Sequence, residues 1–134
     1  MSKRKFLDLL TILLKETKEG KIQWHETVDE QVFRVAFGAG LVRVEERVSE
    51  HSTPDFEDTW SQTTYVALLR NKQGRTLDEL WSGHEEVPEG FLHELYTTAR
   101  ASALSIDDTI NSMIKDAEMG KTVEPPTEDS LRRE

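Results

Sequence analysis

Along this chain the apolar positions change period twice, from three-and-four spacing to alternation and back, and the changes mark out its elements. Over residues 2–19, Phe6, Leu10, Leu13, Leu14 and Thr17 recur every three or four residues, with Leu7 and Leu9 beside them and Asp8, Lys15 and Lys18 opposite. That period puts the stripe on one face of an amphipathic helix. Gly20 stops it, with Lys18 near the negative end of the helix dipole, while Ile12 falls outside the stripe and offers a second contact. Residues 21–27 then alternate, Ile22 and Trp24 against Gln23 and His25, as a strand does.

The clearest alternation runs over residues 31–48. Phe33, Val35 and Phe37 alternate with Val32, Arg34 and Ala36; after Gly38, Ala39 and Gly40, the positions Val42, Val44 and Glu46 alternate with Leu41, Arg43 and Glu45. Two alternating runs joined by a glycine-bearing link predict a β-hairpin, the glycines supplying the positive φ that such links need. We place this hairpin at the centre of an antiparallel sheet, with helices from both ends of the chain packed on it.

Residues 49–60 are polar around Pro54 and read as a long loop. Over residues 63–70, Tyr65, Ala67 and Leu69 take one face and Val66 and Leu68 the other, the pattern of an interior strand covered on both sides. After a turn at residues 71–74, Leu77, Leu80 and Trp81 mark a last strand over 75–81, a spacing that one helical turn also fits. Pro88 suits the first turn of the next helix, whose face carries Phe91, Leu92, Leu95, Ala99, Ser102 and Ala103 with Tyr96 at its border. Ser105 followed three residues later by Asp108 resembles a capping box, restarting a helix with Ile106, Ile110, Met113, Ile114 and Ala117 in its stripe. The segregation of helices and strands predicts an α+β fold: an N-terminal helix, a five-stranded antiparallel meander, and a C-terminal helical pair packed on one face. A single domain is expected over residues 1–119, followed by a disordered acidic tail over 120–134 containing Pro125 and Pro126.

Charge and composition narrow the functions. With 17 basic and 26 acidic residues the net charge is −9, which opposes binding to nucleic-acid phosphates and to anionic membranes. No cysteine is present, so disulfides, a thiolate nucleophile and Cys-bearing zinc sites are excluded, in keeping with a cytoplasmic protein. The basic start and apolar run over residues 3–14 resemble a secretory leader, but Asp8 interrupts the run and Lys15 and Lys18 occupy the place of a cleavage site. The run is also too short to span a bilayer, so neither a signal peptide nor a membrane helix is expected.

Motifs for chemistry fail one by one. Of His25, His51, His84 and His93, only His93 with Glu94 begins the H-E-x-x-H pattern, and Thr97 stands where the second histidine belongs. Asp55, Glu57 and Asp58, like Asp78, Glu79, Glu85, Glu86 and Glu89, cluster without EF-hand spacing. Gly38 and Gly40 give only G-x-G, with no helix to follow, and there is no G-x-S-x-G. No catalytic residue, metal site or cofactor is therefore assigned, and the chain reads as a non-enzyme. The candidates that remain are aromatic: Trp60 and Phe56 within an acidic segment, expected to tuck back onto the sheet ahead of contacting a partner; Trp24; and the pair Tyr96 and Arg100 one helical turn apart, expected to cap the core ahead of rimming a pocket.

Two stretches, TKEGKIQW over residues 17–24 after the Leu-rich first helix and LHELYTTARASAL over residues 92–104, resemble a loose group of small uncharacterised bacterial proteins. The resemblance runs to about residue 117 and implies a bacterial or mobile-element origin and a helix–sheet–helix layout; it carries over no site residue.

The expected function is a non-catalytic bacterial binding or accessory module acting through protein–protein contacts. Its partner is a protein or a second copy, because a second sheet face bearing Val32, Ala36 and part of residues 65–69 calls for a cover, and a homodimer supplies one. The alternatives are a small-ligand sensor with a pocket between sheet and C-terminal helix near Trp24, Tyr96 and Arg100, and an acidic inhibitor from a phage or mobile element.

Overall fold

A computed structural model of the chain describes residues 3–125. Its elements are α1 (Lys3–Lys18), β1 (His25–Glu26), β2 (Val32–Phe37), β3 (Gly40–Ser52), β4 (Thr59–Asn71), β5 (Thr76–Trp81), α2 (Phe91–Ala103) and α3 (Ile106–Glu118). The strands form one sheet in the order β1-β2-β3-β4-β5, every neighbouring pair antiparallel. The fold is the α+β meander expected. Residues up to Leu104 form one compact unit and those from Ser105 a second, so the break falls at Leu104 and Ser105, inside the expected 1–119 domain. The expectation of a disordered tail lies, from residue 126 onward, outside the described residues.

In the first unit, α1 and α2 pack on one face of the sheet. Phe6, Leu10, Leu13 and Leu14 from α1 and Leu92, Leu95, Tyr96 and Ala99 from α2 bury against Phe33, Val35, Val42, Val44, Ala67 and Leu80. The helical stripes and the alternating strand positions thus find each other. Phe37, expected in this set, is exposed at the strand end. Helix α1 stops at Gly20, whose φ of +78° is open to glycine and costly for other residues, with the Lys21 amide donating to the Glu16 carbonyl.

Trp24 joins the two helices. It is completely buried; its indole Nε1–H donates to Thr17 Oγ1 at 2.9 Å, and its amide donates to Ser102 Oγ at 2.9 Å. The strand expected over residues 21–27 accordingly shrinks to His25–Glu26, because Ile22 and Trp24 serve the helical core and not a sheet ladder.

Three further expectations are corrected. In the central hairpin Phe37 pairs with Gly40, and neither Gly38 nor Gly40 lies at positive φ. Gly40 is required for another reason: a Cβ there would stand 2.2 Å from the Arg70 carbonyl oxygen of the next strand. Helix α2 begins at Phe91, after Gly90 at φ 79°, so Pro88 precedes the helix and its carbonyl accepts from the Phe91 amide. Ser105 does mark the start of α3, but in the left-handed region at φ 52° and with no capping bond from its hydroxyl. No residue of α3 is buried.

The other sheet face explains its own apolar content. Val32, Val66 and Leu68 are buried there, with Glu45 opposite Val66 and Arg43 opposite Leu68 in the ladder. Glu45 accepts from Arg43 Nη2 at 3.3 Å and Arg47 Nε at 2.9 Å, and Arg47 reaches Glu79 at 3.7 Å. The Arg43 and Glu45 side chains are themselves mostly covered, so this pair lies within the face, and the exposed Arg47 joins it from the solvent side. Between β4 and β5 the register shifts at Leu69 and Arg70, leaving Leu77 as the extra, exposed residue of a bulge.

Candidate functional site

The strands β3 and β4 continue pairing far beyond the core, with ladder partners out to Ser52 and Thr59. The loop expected over residues 49–60 is therefore mostly strand, and the turn is confined to residues 53–58. Here Thr53 and Asp55 build the turn: Asp55 Oδ1 accepts from Thr53 Oγ1 and from the Glu57 amide, and the Phe56 amide donates to the Thr53 carbonyl at 2.9 Å. The Thr53 hydroxyl, then the Glu57 amide, hold the Asp55 carboxyl below its ordinary pKa. Phe56 sits at φ 60°, 76% exposed, and Trp60 is 51% exposed. Trp60 stacks on His51, its cross-strand partner, with ring centroids 5.7 Å apart. The two aromatics line an open cleft of about 640 Å³ with Glu50 and His51. Phe56 and Trp60 thus meet on an arm rather than folding back over the sheet.

Tyr96 and Arg100 belong to a different place. They line a cleft of about 400 Å³ together with Phe33 and Glu46 of the sheet, Glu26 of β1, and Asp29 and Glu30 of the turn before β2. The turn is fixed by its own side chains, Asp29 Oδ1 accepting from the Gln31 amide at 2.9 Å and the Thr27 hydroxyl donating to the Asp29 carbonyl at 2.9 Å. Glu46 continues the core-facing alternation of Val42 and Val44 and stands opposite Tyr65, whose hydroxyl donates to Glu46 Oε2 at 3.1 Å. An aromatic floor surrounds it: Tyr65 lies 5.4 Å from Tyr96 and 4.9 Å from His93, and Phe33 lies 5.6 Å from Tyr96. Burial raises both tyrosine pKa values above the ordinary range, helped at Tyr65 by the hydrogen bond to Glu46 and at Tyr96 by the charge of Glu46.

Of the five residues singled out in the sequence, Phe56 and Trp60 share the arm, Tyr96 and Arg100 share the cleft, and Trp24 lines neither, being sealed in the core. Glu46 is the cleft residue that sequence reading missed. Its signal was a carboxylate at a core-facing position of a strand, where an apolar residue is the rule. Among the described residues no group of three or more His, Asp or Glu could hold a metal ion, and no helix is long and apolar enough to cross a membrane. Comparison of the chain with protein-family models, with curated proteins and with solved structures found no match.

Proposed function

We propose that this protein is a non-catalytic binding module of the bacterial cytoplasm that engages a protein partner through the β3–β4 arm. The observation that carries the reading is the placement of Phe56 and Trp60. Two of the largest apolar side chains in the chain stand exposed on a ribbon that the core does not need. Exposed Trp is the residue type most enriched at binding hot spots, and a ribbon with its own turn presents it without a large ordering cost. Glu50, Asp55, Glu57 and Asp58 surround the aromatics and suit a basic partner surface. The test is capture from a bacterial lysate with the wild type and with the double variant Phe56→Ala, Trp60→Ala. A stoichiometric protein recovered by the wild type and lost with the variant supports the arm; equal recovery by both removes it.

A second copy suits the open sheet face. Arg47, Glu45, Glu79 and Trp81 line a hollow of about 660 Å³ there, and Arg43 pairs with Glu45 beside it. A patch bearing both signs is self-complementary under a twofold axis. The same mixture of signs departs from the uniformly acidic surface that a nucleic-acid mimic requires. Light scattering decides: a dimer has twice the 15.4 kDa mass of the chain.

A further inference from the structure

The cleft beside Tyr96 contains polar groups that the fold leaves without partners. Tyr96 is only 6% exposed and lines the cleft, yet its hydroxyl has no hydrogen-bond partner among the described residues. The hydroxyl is not itself sealed from solvent, so it is available to bond a ligand that enters the cleft. Arg100, one helical turn further on the same wall, forms no ion pair among the described residues. On the facing wall Glu46 uses Oε2 for Tyr65 and keeps Oε1 for another donor. Each of these groups has a structural neighbour that holds it in place: α2 for Tyr96 and Arg100, the β3–β4 ladder for Glu46.

The chemistry of the lining specifies its ligand. A lone guanidinium on one wall recognises a carboxylate, for which it is the preferred planar partner. Opposite it, Glu46 is joined at the rim by Asp29 and Glu30, so the far end of the ligand is a cation. Between the two ends the rings of Phe33 and Tyr96 offer an apolar floor, and aromatic faces attract organic cations as well as aliphatic stems. A volume of about 400 Å³ lies at the small end of ligand sites. We propose that this cleft binds a free basic amino acid, with its α-carboxylate on Arg100, its stem on Phe33 and Tyr96, and its side-chain cation on Glu46. The tyrosine hydroxyl completes the site as a donor to the carboxylate.

L-lysine, cadaverine, which lacks the carboxylate, and L-norleucine, which lacks the side-chain amine, are the probes, titrated into the full chain by calorimetry and by amide chemical shifts. L-lysine binds saturably, and each analogue is weaker by about tenfold or more, the effect of losing one charge-assisted contact. Arg100→Met abolishes the preference for L-lysine over cadaverine, and Glu46→Gln abolishes its preference over L-norleucine. Tyr96→Phe, which keeps the packing, weakens L-lysine severalfold. No saturable response to L-lysine from the folded protein overturns the proposal, as does equal binding of either analogue or unaltered discrimination in the two charge variants. The site is independent of the arm: Phe56→Ala, Trp60→Ala leaves L-lysine binding unchanged, so failure of one reading leaves the other standing.

Discussion

The two halves of the β3–β4 hairpin are built by the same backbone ladder and held by different forces. In the root, Val42 and Val44 pair with Leu69 and Ala67 under the two helices, and burial fixes which way each side chain points. In the arm, from Arg47 to Ser52 and from Thr59 to Thr63, every residue is exposed. There the ladder is supported locally, by the His51–Trp60 stack, by the Ser49 hydroxyl reaching the Gln62 carbonyl at 3.4 Å, and by the side chains of the turn. An isolated two-stranded ribbon is marginal in water. This one is continuous with a five-stranded sheet, which nucleates its pairing and sets its register. Stability belongs to the root, and the arm is free to carry residues chosen for what they touch.

The largest test of that division compares two tryptophans. Trp24→Ala empties a fully buried site and removes the donor to the Thr17 hydroxyl, which keeps its own bond to the Leu13 carbonyl, and we expect a loss of about 3–5 kcal/mol in chemical denaturation. Trp60→Ala on the arm changes global stability by no more than about 0.5 kcal/mol. Comparable losses from both would erase the distinction between root and arm. A smaller effect probes the hairpin's origin. Gly40→Ala forces a Cβ against the Arg70 carbonyl, costing about 1–3 kcal/mol, with the largest amide-shift changes at Leu41 and Arg70. Unchanged stability would mean that β3 and β4 separate there without penalty.

The smallest effect sharpens the root. Tyr65 and Tyr96 are the only tyrosines, and both pKa values are raised, so an ultraviolet titration of tyrosinate reads them directly. In the folded chain both stay protonated to higher pH than in the unfolded chain, whose tyrosines ionise near pH ~10. Unfolding therefore releases protons above that pH, and stability declines as pH rises through it. Glu46→Gln, by removing the nearby negative charge, lowers both midpoints toward the ordinary value. A titration unmoved by that change would separate Glu46 from the aromatic cluster.

How much of this was legible follows from which positions have something to bury. The central hairpin announced itself because Phe33, Val35, Val42 and Val44 alternate against Arg34 and Arg43. The arm did not, since Ser49, Glu50, His51 and Ser61, Gln62, Thr63 are polar on both faces and alternation vanishes when neither face is covered. Trp24 looked like a binding aromatic because nothing in the local pattern shows that Thr17 and Ser102 wait for its donors, one of them 78 residues away. Tyr96 and Arg100 were readable as neighbours from helical spacing alone. Glu46 completed their cleft only once the ladder set it opposite Tyr65, a pairing between strands that sequence order does not display.

The bulge at Leu77 bears on a hazard every open sheet carries. Strand β5 has only β4 for a neighbour, and an unpaired strand edge is a template on which foreign chains can add and grow into fibrils. Three features spoil this template. The register shift kinks the strand, Asp78 and Glu79 put consecutive charges on its two faces, and the strand is only six residues long. Deleting Leu77 would straighten the edge and remove one of the three guards, leaving Asp78, Glu79 and the short strand to oppose aggregation that the packed core does not prevent.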